Sequence, residues 1–78
     1  MKLPVVSGKE AVKAFGRLGY SIDRQRGSHV IMIRASPEFK LVSIPLHETL
    51  DKGTLHRILA DSDLAIEEFM NALKKGRP

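Results

Sequence analysis

The chain contains no cysteine and no tryptophan. Without cysteine there is neither a disulfide framework nor a thiolate metal site. That composition fits a reducing compartment, and the chain is expected in the cytoplasm. Aromatic residues are scarce, with three Phe and one Tyr among 78 residues. Recognition of single-stranded nucleic acid by stacking successive bases on rings therefore has little to work with. No apolar run approaches the roughly 20 residues that a membrane-spanning helix needs. The opening "MKLPVVSGKE" has a lysine, but it lacks the apolar stretch and small-residue cleavage site of a signal peptide. No membrane partner is expected.

What is present bounds the chain further. A length of 78 residues suits a single domain, 1–78. A domain of this size buries only about 60% of the surface its unfolded chain exposes. Hydrophobic residues make up 42% and charged residues 28%, enough for one core and a solvated exterior. Thirteen Lys and Arg against nine Asp and Glu leave a net charge of +4. This balance suits a polyanion such as nucleic acid, and equally an acidic protein. No internal repeat or low-complexity segment interrupts the chain. Only the tail, Lys74 to Pro78, reads as flexible.

Residue patterns predict the elements in order. "SGKE" at Ser7 to Glu10 is a capping box, in which the serine hydroxyl and the glutamate each serve the other's backbone amide. Ala11, Phe15 and Leu18 follow at helical spacing, and Gly19 supplies the stop. This predicts a helix over Gly8 to Leu18. "YSIDRQ" alternates, with Tyr20 and Ile22 on one side. Arg26-Gly27 is a turn signal. "HVIMIR" is apolar on both parities, with His29, Ile31 and Ile33 on one face and Val30 and Met32 on the other. "KLVSIPL" is a third strand, and Pro45, which has no amide donor, marks an edge. Two helices close the chain, "KGTLHRILA" and "DLAIEEFMNALKK", with Ser62 or Asp63 as the cap of the second. The order α-β-β-β-α-α predicts an α+β fold: a three-stranded antiparallel sheet with the helices on one face. The other face is left for solvent or a partner.

Few constellations carry chemistry. The three histidines, His29, His47 and His56, stand on separate elements without metal-ligand spacing. No metal and no cofactor is expected. Ser28 and His29 are adjacent on a strand and point to opposite faces, so they are not a nucleophile and its base. Lys52-Gly-Thr opens a helix, whose free amides and Lys52 suit a phosphate, or it is a plain helix start. Arg24 and Arg26 lie near the turn before His29. RNA phosphates held by them would pass within reach of its imidazole. Histidine exchanges protons near neutrality, and a placed acid–base group contributes about 10²–10⁴-fold to cleavage. On spacing alone the blander reading is a half-buried strand histidine bonded to a carbonyl. His47 reads as a loop residue, His56 as a helix boundary, and Tyr20 as packing. Lys9, Lys13 and Arg17 form either a solvated stripe or a phosphate rail.

Four segments together resemble a known family. They are "VVSGKEAVKAFGRLGYSI", "RQRGSHVIMI", "IPLHETLDKGTLHRIL" and "LAIEEF". In this order and at these separations they resemble the HicA mRNA-interferase toxins, also described as YcfA-like, over nearly the whole length. The resemblance implies a fold like that of a double-stranded-RNA-binding domain with an added helix. It implies the toxin of a type II toxin–antitoxin pair, which cleaves mRNA without a metal through the histidine of Gly-Ser-His, here His29. A HicB-type antitoxin would mask that histidine. The RNA-contacting set would be Arg24, Arg26, Ser28 and Lys52, with Lys9 and Lys13. The chain departs from the pattern at Val30, where many members carry a second histidine or an aromatic residue. It departs again at His56, where many carry arginine, with Arg57 one place along. The second proton-transfer group is open between His47 and water. The alternative function is a non-catalytic RNA-binding module that reads shape and phosphates.

Overall fold

The computed structural model describes residues 4–76. Its elements are α1 (Gly8–Arg17), β1 (Ser21–Arg26), β2 (His29–Arg34), β3 (Lys40–Pro45), α2 (Lys52–Ser62) and α3 (Ile66–Lys75). The strands form one antiparallel sheet in the order β1-β2-β3. Fold class and element order are those expected from the sequence.

α1 begins with the capping box. The Glu10 amide donates to the Ser7 hydroxyl and the Ser7 amide donates to the Glu10 carboxylate, each at 3.1 Å. The helix ends one residue before Leu18, and Gly19 takes the positive φ, 93°, that glycine tolerates. α1 and α3 then pack together, and the Arg17 guanidinium donates to the Ala72 carbonyl at 3.3 Å.

Val30, Met32, Val42 and Ile44 point from β2 and β3 into a core shared with Ala11, Phe15, Leu55, Ile58 and Phe69. Val30 faces Ile44, and Met32 faces Val42, across the strand pair. Burying a side chain of this size stabilises the fold by about 1.5–3 kcal/mol. Tyr20 is part of this core. Its ring meets Phe15 edge-on at 5.1 Å, Arg34 lies over it at 5.2 Å, and its hydroxyl donates to the Ser62 carbonyl at 3.4 Å. Burial pushes the Tyr20 hydroxyl above its ordinary pKa, with Arg34 opposing and Asp63 adding to the shift.

Three local expectations are corrected. Neither Ser62 nor Asp63 caps α3. Ser62 is buried in the last turn of α2, where its hydroxyl donates to the Leu59 carbonyl, and Asp63 ends α2 in the left-handed region. The α3 cap is Ala65, whose amide donates to Glu68 at 3.4 Å. Ile22 does not join Tyr20 in the core; it is 59% exposed, as is every residue of β1 to some high degree. Lys74 and Lys75 belong to α3, and Arg77 and Pro78 lie outside the described residues. Among the described residues, no helix is long and apolar enough to cross a membrane.

Candidate functional site

The β1–β2 hairpin presents the first histidine. Gly27 opens its two-residue turn with a φ of 59°, and a positive φ there suits the twist of a hairpin. The turn sets Arg26 opposite His29. A bulge between Ile22 and Arg24 then shifts the pairing, leaving Asp23 as the extra residue, so that Arg24 faces Ile31. Simple alternation from Ser21 would have put Asp23 opposite Ile31 and Gln25 opposite His29. The bulge thus turns both arginines onto the His29 face. Arg24 also meets Asp23 at 3.3 Å, an exposed pair of little energetic consequence.

β3 brings a second histidine alongside. Pro45 faces His29 and Ser43 faces Ile31. One residue past the strand, the Leu46 amide donates to the Ser28 carbonyl at 2.7 Å. This bond joins the residue before His29 to the residue before His47. From the other side, the Gly8 amide donates to the His47 carbonyl at 2.9 Å. A Cβ at Gly8 would collide with the Pro45 and Leu46 backbone, so only glycine lets α1 approach this closely.

α2 supplies the opposite wall. Asp51 caps it, accepting from the Thr54 amide at 2.7 Å. That amide holds the Asp51 carboxyl below its ordinary pKa, helped by the Thr54 hydroxyl and by the charge of His47. The amino end of α2 is therefore already occupied by a carboxylate, and Lys52 stands exposed beside it. Thr54, Arg57, Ile58 and Asp61 share one helix face by their spacing.

Between the walls runs an open groove of about 330 Å³. His29, Ser43, Pro45 and His47 line one side, and Thr54, Arg57, Ile58 and Asp61 the other. His29 is exposed rather than half-buried in the strand. The groove holds two imidazoles and a guanidinium suited to phosphate. A neighbouring hollow of about 320 Å³ joins His47 to Lys9 and Glu48.

Of the residues expected at a site, His29, Arg24 and Arg26 share the same sheet face. Ser28 lies in the turn with its carbonyl committed to Leu46. Lys9 reaches the groove's edge by way of His47, whereas Lys13 borders a cleft between α1 and α3 with Arg17 and Leu73. Arg57 lines the groove, and His56 borders a separate pocket between α2 and α3. Ser43, Thr54 and Asp61 were not singled out from sequence, though the Thr54, Arg57 and Asp61 spacing was legible as one helix face. Among the described residues, no three His, Asp or Glu side chains converge to hold a metal ion.

No curated protein matches the chain. The family described as HicA toxin of bacterial toxin-antitoxin matches residues 8–64. That span runs from the first residue of α1 to just past α2 and contains every residue lining the groove. The chain therefore belongs to the HicA toxin family and is the toxin of a bacterial toxin–antitoxin pair, with a cognate antitoxin as its partner.

Proposed function

We propose that this toxin is a metal-independent endoribonuclease that cleaves mRNA, with His29 as an acid–base group. The observation that carries this reading is the exposed position of His29 in the groove. Arg26 and Arg24 stand on its own sheet face, and Arg57 stands across from it. An RNA backbone held by these guanidiniums lies against the imidazole. Lys52 and Lys9 extend the cationic border, and the Ser28 hydroxyl is at the turn. Lys13 belongs to a more distant contact.

The antitoxin is proposed to be of HicB type and to act by covering His29. Ile31 is only 9% exposed, so it offers less docking surface than its place on the face suggests. Leu41, 43% exposed and opposite Ile33, provides the apolar contact instead. A protein seated there blocks the groove sterically.

The test is induction of the wild-type chain and of His29→Ala in bacteria, followed through growth and transcript integrity, with both proteins shown to accumulate folded. Growth arrest with transcript cleavage by the wild type alone is the expected result. Equal cleavage by both would remove His29 from the chemistry. RNA binding without cleavage by either would make the chain a binding module.

A further inference from the structure

We infer that His47 is the second proton-transfer group of the cleavage reaction, the general acid that protonates the leaving 5′ oxygen. This rests on the ribonuclease reading of His29. Both imidazoles line the same groove of about 330 Å³. The 2.7 Å bond from the Leu46 amide to the Ser28 carbonyl locks together the residues that precede them. The 2.9 Å bond from Gly8 fixes His47 from the side of α1. His47 is thus a loop residue with strand-like support, which is what a proton donor needs to keep its aim.

The charges around the two histidines differ. Arg26 stands directly opposite His29. Asp51 feels the charge of His47, and Glu48 and Lys9 share a hollow with it, while Arg57 and Asp61 line the groove that both histidines share. Carboxylates therefore gather beside His47, whereas an arginine stands opposite His29. A general acid starts charged and a general base starts neutral. The base is therefore His29 and the acid His47.

In the reaction, His29 takes the proton of the ribose 2′-hydroxyl as that oxygen bonds to the adjacent phosphorus. The bond from phosphorus to the 5′ oxygen breaks, and His47 gives its proton to that oxygen. The products are a 2′,3′-cyclic phosphate and a 5′-hydroxyl end. Solvent returns both histidines to their starting forms, and no other reactant is consumed.

The experiment uses a short RNA whose cleaved linkage has been mapped with the wild-type chain. A second copy carries sulfur in place of the 5′ oxygen at that linkage, a leaving group that needs no acid. His47→Gln is expected to cleave the ordinary RNA about 10²–10⁴-fold more slowly than the wild type. On the sulfur-linked RNA that defect should shrink by at least about tenfold, while His29→Gln stays slow on both. Far-ultraviolet circular dichroism and a cooperative melt like that of the wild type show that each variant is folded. A His47→Gln defect equal on both linkages, or absent from both, overturns the assignment while His29 remains catalytic. If His29→Gln cleaves both RNAs as the wild type does, the ribonuclease reading of His29 fails and this assignment with it.

Discussion

The two faces of the sheet are made from alternate residues of the same strands, yet they do opposite work. On the helix side, Met32 and Ile44 are 2% and 0% exposed and interlock with three helices. On the other side, His29 and Ser43 are exposed, Ile33 is half-buried, Ile31 and Pro45 are buried, and α2 forms the far wall of the groove with Thr54, Arg57 and Asp61. The difference teaches that the pleat separates packing from presentation: the first face holds most of the core, and the second turns its polar side chains outward from a stiff support.

Substitutions that respect this division should sort by face. Ile44→Ala should cost about 2–5 kcal/mol, a large share of the margin in a domain this small, and thermal unfolding reads it. Ile33→Ala, on the other face, should cost much less in the same measurement. A comparable loss from both would mean that the groove side is a second core.

The arginines test the bulge. Arg24→Ala with Arg26→Ala should weaken RNA binding and flatten its salt dependence. Each lost phosphate contact reduces the log–log slope by about 0.7 for a single strand. Deleting Asp23 removes the bulge but leaves Arg24 next to Ile22, so both arginines keep the His29 face. RNA affinity should then be nearly unchanged, and a loss like that of the double variant would show that the bulge does more than set the register.

Leu41→Asp sharpens the reading of the groove side as a docking face. It should weaken antitoxin binding about tenfold, or about 1.4 kcal/mol, with RNA cleavage by the free toxin retained. Titration of the antitoxin against toxin activity measures this.

The smallest effect concerns Asp51, at the boundary between the faces. Its carboxyl is held low in the folded chain, chiefly by the Thr54 amide. The resulting stability is present above the ordinary carboxylate range and is lost as the pH falls through the depressed folded value. Asp51→Asn keeps an acceptor for the Thr54 amide and should flatten that acid-side loss. Melting temperatures taken from neutral pH downward for both chains show whether it does.

Much of this was legible in the residues alone. The capping box at Ser7, the stop at Gly19, the turn at Gly27 and the alternation of His29, Ile31 and Ile33 are local signals, decided by a few neighbouring dihedrals and side-chain spacings. They determine the element order and set His29 opposite in direction to Val30. Other features depend on partners far along the chain. The bulge at Asp23 exists only in the pairing of β1 with β2, and it decides which face Arg24 and Arg26 occupy. Ile22 alternates like a buried residue, but its exposure shows that the core leaves it uncovered. The left-handed Asp63 and the burial of Ser62 follow from how α2 and α3 meet, which short-range patterns do not encode. Above all, the groove joins His29, His47 and Arg57 from three separate elements. Sequence spacing specifies each element's own faces, and only the packing of those elements decides which faces meet.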